Sequence, residues 1–473
     1  MPGLKFRYKR RLVRFRSNQW VQAVLYYSHY YYEKTMETNS TLKKQFFQFL
    51  PFLFASALTG LVAVLYSLLF NYAEHFSFYL FGLNKYLIFL VTPACFLFSW
   101  WVSDKYSVNS KGSGIPQVMC AMELNNRQKP FLAKIFGFRM IIVKVLSSCV
   151  KVVGGGILGR EGPTIQIASS IFYLVHKYLP KWWGPISQKN MLIAGASSGL
   201  AAAFNTPLGG IIFAIEELSR YHIKYYKSPL FIAVIIAGLT AQGLTGSYLY
   251  LGYPKVDVSG LKVVLAVILV AVLCGYFGSK TGTVILGVMR FFKRVRKRKY
   301  QAVFVVFCGL FVATFIYLVG IDAMGSGKHI METRLFNENK TVDWYLPFVR
   351  MNGLIASFSF GGAGGVFSPS LSAGASFGAL VAQLLELKGQ SANMIILIGM
   401  TAFLTGMSRA PFTSAIIVFE MTDRHSIIFY LLLGAILANI IGSLVDKKSF
   451  YDRLKDTYLD EVSEKTKMAA TPD

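Results

Sequence analysis

The chain is 473 residues long, with 54% hydrophobic and only 15% charged residues. An ordinary soluble protein carries about 25% charged residues, so a large soluble enzyme is excluded. Lys and Arg number 49 against 23 Asp and Glu, a net charge of +26. The excess is segregated: residues 1–48 hold ten basic and two acidic side chains, and Arg290–Lys299 holds seven basic and no acidic ones. Basic clusters set beside apolar runs argue for membrane topology and contact with anionic lipid, and against nucleic-acid binding.

In chain order, residues 1–45 read as a basic cytoplasmic segment. It continues into the polar, Tyr-rich stretch Tyr26–Thr41 with no apolar core or cleavage site, so a signal peptide is not expected. The first apolar run is Phe46–Tyr72, followed by Tyr86–Val102 and Pro130–Val153, and later by Pro229–Tyr253, Leu261–Val288, Ala302–Ile321 and Ile427–Leu444. Several are long enough for a helix across a hydrocarbon layer of about 30 Å, and a helix satisfies its backbone groups internally. Between them lie shorter segments punctuated by Gly and Pro: Glu161–Tyr178, Met191–Gly199, Pro207–Leu218, Phe367–Leu384 and Pro411–Thr422. Many start at or beside Pro, which suits the first helical turn. They read as half-helices that stop inside the membrane. The tail after Tyr451 is short, mixed in charge and expected to be cytoplasmic, with no room for a regulatory domain. The five cysteines, at 95, 120, 149, 274 and 308, lie singly without CxxC spacing and read as packing residues.

Two landmarks repeat. Asn205-Thr206-Pro207-Leu208 leads to Glu216-Glu217-Leu218, and Arg409-Ala410-Pro411-Phe412 leads to Glu420-Met421-Thr422, with the prolines 204 residues apart. Gly159-Arg160-Glu161-Gly162-Pro163 and Gly365-Val366-Phe367-Ser368-Pro369 are 206 apart. Broken helices at equivalent places in two halves point to a transport site near the bilayer midplane. The expected division is a first membrane repeat at 46–253, a second at 254–446, and a C-terminal helix and tail at 447–473. Lys and Arg favour the cytoplasmic side of spans, which places both basic clusters and both termini there.

The scarce charges within apolar surroundings carry the chemistry, because an ionised group at the membrane centre costs roughly 2.5–3.5 kcal/mol. Arg160 and Glu161 sit in the Gly-rich turn 154–163, where a helix begins. Such a start offers N–H groups and a partial positive charge to an anion. Gly112-Ser113-Gly114-Ile115-Pro116 and Gly364-Gly365-Val366-Phe367-Ser368-Pro369 have the same character, and three such turns can converge on one anion. A site of this kind accepts a carboxylate as readily as chloride. Protonation weakens the carboxylate's hold, so one acid can both gate an anion and carry a proton. An intramembrane hydrolase would need an activated water and usually a ligand set for a metal. No HExxH, paired Asp motif or Cys/His cluster is present.

These three stretches, in this order and at these separations, resemble the signature motifs of the CLC chloride channel and transporter family, most closely its prokaryotic-type chloride/proton exchangers. EMTD at 420–423 fits as well, and the resemblance runs from about Phe46 to Tyr451. It implies an all-α polytopic membrane protein of many tilted and broken helices in two inverted-topology repeats. It also implies a homodimer with one pathway per subunit in a cell (inner) membrane, chloride and protons as transported species, and no cofactor and no enzymatic activity.

Residue by residue, Ser113 and Tyr451 resemble the serine and tyrosine whose hydroxyls hold the central anion, with Gly112 and the N–H groups of Val366 and Phe367. Glu161 resembles the gating glutamate and Glu217 the internal proton-transfer glutamate, with Arg160 and Gly162 completing the motif. Lys144 resembles a family lysine that supplies background positive potential. The acids that often follow the first motif's proline are replaced by Gln117 and Met119, which argues against a local salt bridge to Lys144. The side chain at 113 resembles the one that distinguishes family members preferring chloride from those tuned to nitrate or fluoride, and so implies chloride.

Each of these residues also has a plainer reading. Ser113 can serve as a helix cap, Tyr451 as an interfacial aromatic, Glu217 as a helix-end charge, Lys144 as a snorkelling lysine, and His176 and His222 as surface histidines. Within the family that the chain resembles, members with both glutamates are usually exchangers, so Glu161 and Glu217 imply an exchanger, and the alternative is a passive voltage- or pH-gated chloride channel.

Overall fold

All regular structure among the described residues of the computed structural model is helical. The structure describes residues 41–470 apart from 126, 181–182, 184, 219–226, 247–249, 258–259, 339 and 423–426. Most of the basic N-terminal segment, His222 and Asp423 therefore lie outside the described residues.

The first half contains α1 (Thr41–Leu83), α2 (Ile88–Tyr106), α3 (Ile115–Glu123), α4 (Leu132–Ile135), α5 (Phe138–Val153), α6 (Glu161–Tyr178), α7 (Gln188–Phe204), α8 (Pro207–Phe213) and α9 (Lys227–Thr245). The second contains α10 (Leu261–Arg294), α11 (Arg298–Val319), α12 (Lys328–Phe336), α13 (Leu346–Phe358), α14 (Phe367–Leu384), α15 (Gly389–Ser408), α16 (Pro411–Thr422) and α17 (Ile428–Val445), and α18 (Phe450–Ala470) closes the chain. Seven of the described helices are long and apolar enough to cross a membrane. α1, at 43 residues, is about 65 Å long at 1.5 Å per residue, roughly twice the hydrocarbon thickness. α15 differs from the other spans in being buried in the protein along nearly its whole length, packed by α10, α14 and α17.

The apolar run Pro130–Val153, expected to be continuous, is broken: a short turn and α4 precede an extended residue at Phe136, and α5 starts only at Phe138. Pro207–Leu218 is also composite, with α8 passing into the wider i→i+5 turn Ala214–Leu218.

The internal repeat extends well beyond the two landmarks. α6 and α14 are both 18 residues long, and the helix after each packs closely along it. Both pairs meet through glycine. A Cβ on Gly199 of α7 would press on Ala168 Cβ at 2.6 Å, and one on Gly378 of α14 would meet the Ile395 carbonyl at 2.6 Å. Small residues of this kind let membrane helices approach backbone to backbone. α7 and α15 each end in a left-handed residue, Asn205 (φ 57°) and Arg409 (φ 61°), two positions before Pro207 and Pro411. A further correspondence was not read from the sequence: Gly325-Ser326-Gly327 precedes the nine-residue α12 as Gly112-Ser113-Gly114 precedes the nine-residue α3, with positive φ at all four glycines.

The halves are tied together by exchanged caps. Glu420 of α16 accepts the N–H groups of Leu208 (3.0 Å) and Gly209 (2.6 Å) at the start of α8. Glu216 accepts those of Phe412 (3.1 Å) and Thr413 (2.6 Å), together with the Thr413 hydroxyl, at the start of α16. Helix starts leave such N–H groups without intrahelical acceptors, and here each is met by an acid from the other half. Loss of a capping side chain costs about 0.5–2 kcal/mol. Glu420→Ala is therefore expected to lower the thermal unfolding midpoint of the detergent-solubilised protein. An unchanged midpoint would show that the cap contributes nothing.

Candidate anion and proton site

The three Gly-rich turns meet at one place. Gly159 and Gly365 exchange backbone hydrogen bonds of 2.8 and 2.7 Å, and the Gly112 N–H donates to Gly362 O at 3.0 Å while its carbonyl accepts from Gly364 at 3.2 Å. The starts of α3, α6 and α14 are thereby stitched together by main chain. The geometry demands glycine at two points: a Cβ on Gly162 would run into the Ser113 hydroxyl, and one on Gly159 would run into a carboxyl oxygen of Glu161.

Ser113 and Tyr451 are 1% exposed. Their hydroxyls lie close enough to interact, yet neither makes a regular hydrogen bond. Buried hydroxyls are nearly always satisfied, so this pair is suited to a ligand. Tyr451 is delivered by the start of α18. There Ser449 Oγ accepts the Asp452 N–H at 2.9 Å and donates to its carboxylate, a box-like cap. Arg453 also pairs with Asp446 at 2.6 Å just before the helix. The Tyr451 ring stacks on Phe367 with centroids 6.1 Å apart, so it is packed in the interior rather than placed at an interface. Val366 and Phe367 form the N-cap and first residue of α14, where N–H groups have no intrahelical acceptor. Gly112 differs from expectation: its N–H and carbonyl are both used in joining the turns, so it shapes the site and has no donor left for an anion.

Glu161 is fully buried at the first position of α6. Its carboxyl lies against the N–H groups of Glu161 itself and of Ser368 in the first turn of α14, short of regular hydrogen-bond geometry. The carboxyl thus sits at the helix start that carries Val366 and Phe367. Arg160 turns away to Ser67 O (3.1 Å) and Asn71 Oδ1 (2.8 Å) on α1 and anchors the turn. Glu217 is 4% exposed. It lies in the i→i+5 turn beside Glu216, and the two neighbours diverge: Glu216 caps α16, while Glu217 faces inward, near enough to act electrostatically on the Tyr451 hydroxyl, as Glu161 does from its own position.

Lys144 does not snorkel. It is fully buried, and its ammonium donates to Gln166 Oε1 (2.6 Å), Gly112 O (3.1 Å) and Ser110 O (3.2 Å). Gln166 lies 22 residues away on another helix, so the sequence does not mark it as the partner, while Gln117 is committed to Lys111 O and the Tyr458 hydroxyl. His176 bonds Ile186 O at 3.0 Å, away from these groups. Among the described residues no cluster of three or more His, Cys, Asp or Glu side chains could hold a metal, and the five cysteines are unpaired.

The second Gly-Ser-Gly turn shows what this motif can bind. The N–H and hydroxyl of Ser326 donate to Glu74 Oε1 at 2.6 and 2.9 Å, so a turn of this kind in the same chain does hold an anionic oxygen.

Comparison with known proteins agrees with this fold. The fold is similar to that of a slow cyanobacterial Cl−/H+ antiporter (20% identity, 88% of this chain and 98% of that one covered, TM-score 0.75). It is also similar to that of a CLC-type fluoride/proton antiporter (18% identity, 87% and 98% covered, TM-score 0.72) and a eukaryotic CLC transporter (21% identity, 87% and 74% covered, TM-score 0.69). Residues 95–443 match the family described as voltage gated chloride channel. That match spans well over half of the sequence, so this integral membrane protein belongs to the voltage-gated chloride channel (CLC) family.

Proposed function

We propose that the protein is a secondary active antiporter that exchanges chloride for protons, with the anion held by helix starts and gated by Glu161. The observation that carries this reading is the position of the Glu161 carboxyl at the first turn of α14, in a junction of three helix starts joined by main chain where the buried Ser113 and Tyr451 hydroxyls make no regular hydrogen bond. A carboxylate and a chloride compete for those donors. A protonated carboxyl withdraws from the competition, so chloride entry and proton uptake become linked. Glu217 supplies the internal end of the proton route, and both acids act electrostatically on the Tyr451 hydroxyl. Lys144 pins the Gly112 carbonyl, and the trans peptide then turns the Ser113 N–H in the opposite direction.

We further assign residues 46–253 and 254–446 to the two membrane repeats and both termini to the cytoplasm. The protein works as a homodimer in a cell (inner) membrane, as its family resemblance implies. The repeat assignment is supported by the matched helices and exchanged caps.

The test is the reversal potential of purified protein in liposomes under a pH gradient at fixed chloride. An antiporter's potential shifts with the pH gradient. A potential that follows chloride alone would replace this reading with a passive channel.

A further inference from the structure

Lys151 is a buried lysine to which the roles above give no task. It is fully buried in α5 and shares one face with Lys144 and Ser147, at spacings of seven and four residues. This face lies behind the turns that build the site. Lys144 holds the Gly112 carbonyl. Ser147 Oγ accepts the Ala363 N–H at 3.1 Å and bonds Ser99 and Ser103. Lys151 donates to Ser357 O at 3.3 Å and lies 4.5 Å from the centroid of the Phe360 ring. It also abuts the 361–365 loop, since a Cβ on Gly362 would come within 2.5 Å of its Nζ. No carboxylate acts on Lys151 among the described residues; its titratable neighbours are Cys308 and Lys144.

Intramembrane ionisable groups are normally paired or functional, and Lys151 has only a carbonyl and a ring. That carbonyl belongs to the last turn of α13, where unsatisfied C=O groups carry the negative end of the helix dipole. From there the chain runs through residues 359–366 directly to the start of α14. Without a cation, the negative end of one helix would sit beside the donors of the next.

We propose that Lys151 is a positioning residue for the transported anion: its charge offsets the C-terminal end of α13 and fixes the 361–365 loop, so that α14 presents its first turn at positive potential. Two of the three turns then have their own buried lysine behind them, Lys144 for the Ser113 turn and Lys151 for the Val366–Phe367 turn. The inference rests on the chloride reading given above.

The test is calorimetric titration of chloride into the full-length, detergent-solubilised protein in chloride-free buffer. A unit charge about 10 Å from an anion at an effective dielectric of about 20 changes affinity by roughly tenfold. Lys151→Met is expected to raise the chloride Kd by that factor, Lys151→Gln to do the same while keeping a donor for Ser357 O, and Lys151→Arg to restore affinity. Unchanged affinity in Lys151→Met, or full affinity in Lys151→Gln, overturns the proposal. So does failure of both neutral variants to give monodisperse protein, which would assign Lys151 to folding. If the wild-type protein binds no chloride, the antiporter reading falls and this proposal with it; wild-type binding that ignores Lys151→Met defeats this proposal alone.

Discussion

Glu161→Gln is expected to leave chloride moving while proton movement stops. Glutamine has the shape of a protonated glutamate and no ionisable group, so it neither carries a proton nor competes as an anion for the start of α14. The wild-type carboxyl lies against Ser368 N–H in a fully buried setting, where donors aimed at an anion are worth more than in water. In liposomes the reversal potential should lose its dependence on the pH gradient, and the pH dependence of chloride flux should flatten because the competing charge is gone. Proton pumping that survives in this variant would remove Glu161 from the route. Glu161→Ala would test less cleanly, since it also empties the space between Gly159 and the first turn of α14.

Much of the site could be read from the sequence because its parts are local. The starts of α6, α14 and α16 fall where Gly and Pro place them, since a helix start depends on a few consecutive residues. The convergence of the three turns likewise follows from equivalent motifs in two halves. Features that depend on distant partners were hidden. Lys144 as a snorkelling or buried lysine could not be decided without Gln166 and the Gly112 carbonyl. The engagement of Gly112 by Gly362 and Gly364 makes it a framework residue rather than a donor. The break near Gly137 is masked by apolar residues on both sides.

α13 and α15 did not stand out for a related reason. α15 is buried on every side, so it shows neither an apolar stripe nor a polar face to mark it. α13 carries Arg350, fully buried and bonded to Ser372, Met324 O and Gly325 O, a charge that in sequence looks like the end of a segment. The Gly325-Ser326-Gly327 turn is hidden in the sequence for a chemical reason: no proline follows it, whereas Ile115-Pro116 marks its counterpart.

Glu217→Gln is expected to separate the two glutamates by mechanism. Chloride turnover should persist, because Glu217 lies on the i→i+5 turn after α8 and not at the stitched starts of α3, α6 and α14. Proton coupling should vanish, because an amide cannot relay a proton from the interior side to Tyr451 and Glu161. The pH dependence of chloride flux should survive in this variant, since the competing carboxyl at 161 still titrates. Loss of that dependence together with the coupling would mean that Glu217 acts on the gate itself. Its neighbour provides the control. Glu216 is one residue away, but its carboxylate is spent on the Phe412 and Thr413 N–H groups, so Glu216→Gln should cost stability and spare coupling. If Glu216→Gln abolished coupling as thoroughly as Glu217→Gln, the shared effect would point to disruption of the joint between α8 and α16 rather than to a proton route through position 217.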